Sequence, residues 1–223
     1  MEYEITNRPS FAELVATLDE GDRIRLESSS LVSHTQGVEI TSNDRGGLTA
    51  SLKETLLGDD ATFSTVLTAN RPGTVTVAPP FPGDIVHYEL REETLYVQSC
   101  SFLAAQPDVE FDAEFSRDKT FVENESDFLL ELTGSGLSFM ASYGAISVVS
   151  LDPGETYVVD TGHVVAFEET VDFSVRRVEG VKSLRGTEEG CLAEFEGPGT
   201  IWTQSRSPSA VLAWLVPNLS DEP

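Results

Sequence analysis

Gly21-Asp22-Arg23-Ile24, Leu31-Val32 and Val38-Glu39-Ile40-Thr41 lie without a gap over Gly154-Glu155-Thr156-Tyr157, Val164-Val165 and Val171-Asp172-Phe173-Ser174. A chain that writes one β-rich phrase more than once is built of repeated units, and that fact constrains the fold before any single motif does. A third copy begins at Gly83-Asp84-Ile85 and, after about nine extra residues, rejoins the pattern as Phe102-Leu103-Ala104 and Val109-Glu110-Phe111. Late in each copy a glycine returns, at Gly73, Gly136 and Gly199, evenly 63 residues apart. The units run at about 15–78, 79–148 and 149–206, fused without linkers in a single domain over residues 1–223.

Period-two alternation marks half-buried strands at Ile24-Arg25-Leu26-Glu27, Val109-Glu110-Phe111-Asp112 and Val171-Asp172-Phe173-Ser174-Val175. Tyr157-Val158-Val159 and Ile146-Ser147-Val148-Val149 read as strands buried on both faces. The dipeptides Glu20-Gly21, Pro82-Gly83, Pro153-Gly154 and Pro198-Gly199 mark turns. There glycine supplies positive φ, and the following Asp or Glu can bond the turn backbone. Helical signals are few. Ser10 before Phe11-Ala12-Glu13-Leu14 offers a capped turn, Leu52 to Leu57 another, and Ser207-Pro208 opens a helix over 208–216 that Pro217 ends. Three β units must cover their sheet edges, and closing them around an axis buries their common apolar faces. The expected fold is all-β: three internal repeats in a pseudo-threefold sandwich or barrel-like body, with a short C-terminal helix.

Asp and Glu number 38 against 14 Lys and Arg, for a net charge of −24, and the carboxylates are spread along the chain rather than gathered in a tail. Such a surface suits concentrated salt, since at about 1 M the screening distance falls to about 3 Å and self-repulsion is damped. It excludes the clustered Lys and Arg that phosphate backbones require, the nearest thing being Arg176-Arg177. The longest apolar run, Ala210 to Val216, is far short of a spanning helix, so no membrane insertion is expected. Met1-Glu2-Tyr3-Glu4 has neither the positive nor the apolar region of a signal peptide, which points to a cytoplasmic protein. Cys100 and Cys191 hold unrelated positions in their units and are expected as two reduced, buried thiols.

Longer phrases carry a resemblance. They are Leu132-Thr133-Gly134-Ser135-Gly136-Leu137, Ser142-Tyr143-Gly144, Leu151 to Phe167, and Phe195 to Arg206. Together, in this order, they resemble the altered-inheritance-of-mitochondria protein 24 family, also called the mitochondrial biogenesis family. The resemblance implies a fold like the tryptophan-RNA-binding attenuator protein, with its β unit repeated inside one chain. It brings no established biochemical activity; eukaryotic members are associated with organisation of the mitochondrial inner membrane. Two phrases depart from the family pattern. Gly58-Asp59-Asp60-Ala61-Thr62-Phe63 replaces a Gly-Glu-Ser-Phe-Phe-like phrase, and Cys100 stands where glycine is usual.

Candidate chemistry is thin. His163, between Asp160 and Glu168-Glu169, is the residue placed best for a ligand, yet no His-x-His pair accompanies it. Its repeat counterparts are Ser30 and Ser101, while His34 and His87 hold other positions, so no threefold histidine cluster arises within one chain. A tight turn at Asp160-Thr161-Gly162 with His163 hydrogen-bonded beside it is the simpler reading. Gly134-Ser135-Gly136 lacks the lysine and helix of a phosphate loop and reads as a turn connecting strands. Glu168-Glu169 and Glu188-Glu189 read as solvated faces, and Trp202 and Trp214 as core residues. No catalytic, cofactor-binding or metal residue is therefore assigned. The chain is read as a non-enzymatic scaffold or binding module with an unknown protein partner, assembled as a homo-oligomer, a trimer included. The alternative is a cupin-like small-molecule binder or metal-dependent enzyme; RNA binding is opposed by the charge.

Overall fold

A computed structural model describes residues 1–44, 64–112, 129–179 and 189–219. Within them lie eighteen strands and one α-helix. The first strand, β1 (Glu2–Thr6), covers the edge of β2 (Glu13–Leu18). Then follow β3 (Arg23–Glu27), β4 (Leu31–His34), β5 (Val38–Asp44), β6 (Ser64–Ala69) and β7 (Gly73–Val77). The middle of the chain forms β8 (Ile85–Arg91), β9 (Leu95–Gln98), β10 (Phe102–Ala105), β11 (Val109–Asp112) and the long β12 (Leu129–Ala141). The last set is β13 (Ile146–Leu151), β14 (Thr156–Asp160), β15 (Val164–Glu168), β16 (Asp172–Glu179), β17 (Glu189–Glu196) and β18 (Gly199–Gln204), with α1 (Pro208–Leu219) after it.

All strand pairs are antiparallel and follow one scheme. In the first set β3 and β5 flank β6, while β2 and β4 flank β7. In the second, β9 and β11 flank the first part of β12, and β8 and β10 flank its second part. In the third, β14 and β16 flank β17, and β13 and β15 flank β18. Two pairings join the sets. β10 pairs with β3, placing Ala104 opposite Leu26, and β15 pairs with β9, placing Ala166 opposite Val97. The alternating apolar residues of these strands turn inward into three clusters. One contains Leu14, Ile24, Leu67 and Phe139, a second Val97, Phe102, Met140 and Trp202, and the third Val164, Phe167, Ala193 and Phe195. Phe167 anchors the third, its ring centroid 5.1 Å from Tyr96, 4.8 Å from Phe173 and 5.2 Å from Phe195.

The chain is all-β with a C-terminal helix, as the alternation predicts, but the sheets do not close. The third junction that a closed body needs, β4 with β14, is absent among the described residues: β4 ends one sheet and β14 ends another. The glycines of the three sequence phrases do not all precede equivalent strands. Gly83 precedes β8 and bridges Gly144, whereas Gly21 and Gly154 precede β3 and β14. The residue standing before the corresponding β9 is Glu92, with φ of 73°; its N–H donates to the Gly134 carbonyl at 3.0 Å, much as Gly154 N–H donates to Gly197 at 3.2 Å. From Glu92, the residues Leu95, Phe102 and Val109 match Ile24, Leu31 and Val38 with no insertion.

Smaller differences have local causes. Residues 13–14 belong to β2 rather than to a helical turn, because their alternation places Leu14 in the core beside Ala16 and Leu18. Gly134-Ser135-Gly136 does not connect two strands but bends β12 internally, with φ of +88° and +141° at its glycines. Ser207 caps α1, its hydroxyl accepting from Ala210 N–H at 3.4 Å, and the helix runs past Pro217 to Leu219. Leu52 to Leu57 and Gly58 to Phe63 lie outside the described residues. No described helix is long and apolar enough to cross a membrane.

Candidate functional site

The turn that holds His163 is built from backbone bonds. Asp160 ends β14 and accepts the Gly162 N–H at 3.0 Å, folding Thr161–His163 into a single 3-10 turn. His163 Nδ1 lies 2.7 Å from the Gln204 carbonyl oxygen, an acceptor only, so Nδ1 carries the proton and donates. Gln204 is itself buried at the end of β18. Its Nε2 donates to the Gly162 carbonyl at 3.0 Å, and its Oε1 accepts from Tyr143 N–H at 2.8 Å. His163 is thus hydrogen-bonded beside a tight turn, as the Asp-Thr-Gly spacing suggests. Glu168 is likewise engaged, its Oε2 accepting from Thr200 N–H at 2.8 Å. His34 Nδ1 lies 3.1 Å from the Thr35 carbonyl, and His87 packs 5.4 Å from the Tyr3 ring, so the three histidines are not brought together. Among the described residues no group of three His, Cys, Asp or Glu side chains could share a metal ion. Glu188 lies outside them.

The cysteines divide: Cys191 is buried as expected, whereas Cys100 is exposed. Cys100 follows the buried strand β9 in a 3-10 turn over Ser99–Ser101 that buries the two serines and turns the thiol outward. It borders a shallow, open cleft with Pro79, Pro80 and the rings of Phe81 and Tyr143, whose centroids lie 4.9 Å apart at a tilt of 30°. The tryptophans divide as well. Trp202 is 7% exposed and meets Tyr88 edge-on at 5.6 Å, while Trp214 on α1 is 68% exposed.

Acidic side chains crowd the tyrosines of the central sheet. Burial, reinforced by Glu168 and Glu93, pushes the Tyr88 hydroxyl up to about 12. Burial and the charges of Glu131 and Glu169 raise Tyr96. Burial, then Asp112 and Glu169, raise the carboxyl of Glu131, which lies opposite Tyr96 on β12. These shifts keep the tyrosines neutral. Large apolar side chains are also exposed at several places, among them Phe11 and Val148, and Val32 on β4 and Tyr157 and Val158 on β14, which are 56%, 41% and 45% exposed. Tyr157-Val158-Val159 reads from the sequence as buried on both faces, yet Tyr157 and Val158 are exposed and β14 ends its sheet among the described residues.

The described residues form an all-β body whose candidate polar side chains His163, Asp160, Gln204 and Glu168 are bound to backbone. The family model for mitochondrial biogenesis AIM24 matches residues 3–206, and the chain belongs to this family. It is similar to an uncharacterised protein of Streptococcus pyogenes serotype M6, 27% identical over 213 residues that cover 92% of this chain and 86% of that one. A crystal structure of a Streptococcus pyogenes protein superposes with a TM-score of 0.79 at 25% identity, covering 97% of this chain and 99% of the other.

Proposed function

We propose that this protein is a non-enzymatic scaffold, one domain of three β units related by an approximate threefold, that works through its outer surface as a homo-oligomer in a salt-rich cytoplasm. The observation that carries the reading is the use of its polar candidates. His163, Asp160, Gln204 and Glu168 are all committed to backbone partners, while Val32, Tyr157 and Val158 stand outward on strand edges. Side chains spent on holding turns are poor candidates for chemistry, and exposed apolar residues gain most by being covered. The charge of −24 supports the salt-rich setting, because association of such bodies requires screening.

The test is elemental analysis combined with sedimentation of protein purified in molar KCl without added metal or chelator. Metal-free protein sedimenting above the monomer mass is expected. One equivalent of a transition metal per chain, lost in His163→Ala, would replace the scaffold with the cupin-like reading. A monomer at every concentration would remove the homo-oligomer.

A further inference from the structure

Two of the open strand edges, those of β4 and β14, are halves of one junction. Inside the chain, β10 lies against β3 and β15 lies against β9 in the same antiparallel manner. In the sequence register, β4 is the counterpart of β10 and β15, and β14 is the counterpart of β3 and β9. Neither finds its partner in its own chain among the described residues. Side-chain burial marks the same vacancy. Val32 is 56% exposed, but its counterparts Leu103 and Val165 are 1% and 0% exposed. Tyr157 is 41% exposed, whereas its counterparts Ile24 and Leu95 are both 0% exposed. β4 is exposed from Val32 to His34, while β10 is buried throughout.

We propose that β4 of one chain pairs antiparallel with β14 of a second copy, continuing across the subunit boundary the junction used twice within the chain. This rests on the homo-oligomer reading and deepens it by naming the interface. Ala104 opposite Leu26, Ala166 opposite Val97 and Phe167 opposite Tyr96 fix the register. They place Ser33 opposite Val159 and His34 opposite Val158 in the new pair. The contact is head-to-tail: each copy offers β4 at one end and β14 at the other. Such an interface either closes into a ring or extends into a filament. A second copy is the fitting occupant because it alone carries both complementary edges. Burying Val32, Tyr157 and Val158 together would give this junction the apolar cover its two counterparts already have.

The test uses the full chain in molar KCl with Cys100→Ser as background. His34→Cys protein and Val158→Cys protein are prepared separately, mixed and oxidised mildly. Opposed residues of an antiparallel pair lie about 4.5–5.5 Å apart at Cβ, within adjustment of a disulfide. A covalent dimer is expected in the mixture, at least tenfold above either protein alone and above a control mixing His34→Cys with Phe11→Cys. Val32→Asp and Val158→Asp, both at exposed positions, should each reduce the assembly to monomer with an unchanged circular dichroism spectrum. If wild type is monomeric at all concentrations, the homo-oligomer reading fails and the junction with it. If the assembly persists in both aspartate variants and the mixture does not cross-link, oligomerisation stands and this interface is overturned.

Discussion

Hydrogen bonds from His163 and Gln204 tie the 3-10 turn over Thr161–His163 to the end of β18, so a single substitution there should report on structure. His163→Ala removes a donor from the Gln204 carbonyl and should lower stability by about 1 kcal/mol, the usual net value of one such bond. Urea titration checks the size; a change far beyond it would mean a further partner for the imidazole. Glu131 supplies a pH test. Its carboxyl is raised in the folded chain by burial, then by Asp112 and Glu169, so the fold holds that proton more tightly than the unfolded chain does. The stabilisation is complete below the ordinary glutamate range and is lost as pH rises through the folded value. Glu131→Gln should therefore raise Tm at neutral pH and flatten its decline above the carboxylate range. An unchanged Tm profile between acid and neutral pH would rule out this contribution.

At the scale of elements, two glycines separate backbone strain from crowding. Gly154 in the turn before β14 has φ of +78° and nothing within 4 Å of where a Cβ would stand. Gly154→Ala should cost about 1–2 kcal/mol for the left-handed backbone alone. Gly134, at the bend of β12 with φ of +88°, would drive a Cβ into the Asp108 carbonyl, so Gly134→Ala should cost clearly more. Denaturation midpoints of the two variants test the ordering. Elements of this kind also show where sequence reading succeeds. Alternation found β3, β11 and β16 because their burying neighbours are present, and the Asp22 and Glu155 carboxylates bond turn backbones at 3.0 Å as their positions suggest. The turn before β9 is harder to read, because Glu92, not a glycine, takes the positive φ there, which few non-glycine residues do. The apolar run Tyr157-Val158-Val159 reads as doubly buried, whereas Tyr157 and Val158 are exposed, because composition records what could be covered and not what covers it. Of the candidate site, the His163 turn was legible from its short spacing. The exposure of Cys100 was not, since it depends on how one 3-10 turn directs its middle side chain.

For the whole molecule, charge and connectivity set the behaviour. Lowering KCl from about 1 M to about 0.01 M extends the screening distance from about 3 to about 30 Å and restores repulsion among the carboxylates. The thermal midpoint should fall and the assembly dissociate across that range; a flat profile by circular dichroism and sedimentation would contradict adaptation to salt. A different consequence comes from β12. This one strand is bonded along its length to β8, β9, β10 and β11, and two of those, β9 and β10, are the strands that reach into the neighbouring sets. The middle set cannot therefore melt and leave the other two joined, because losing β12 opens both junctions at once. The chain should therefore unfold in one calorimetric transition, with van't Hoff and calorimetric enthalpies equal and the slowest amide exchange on β12.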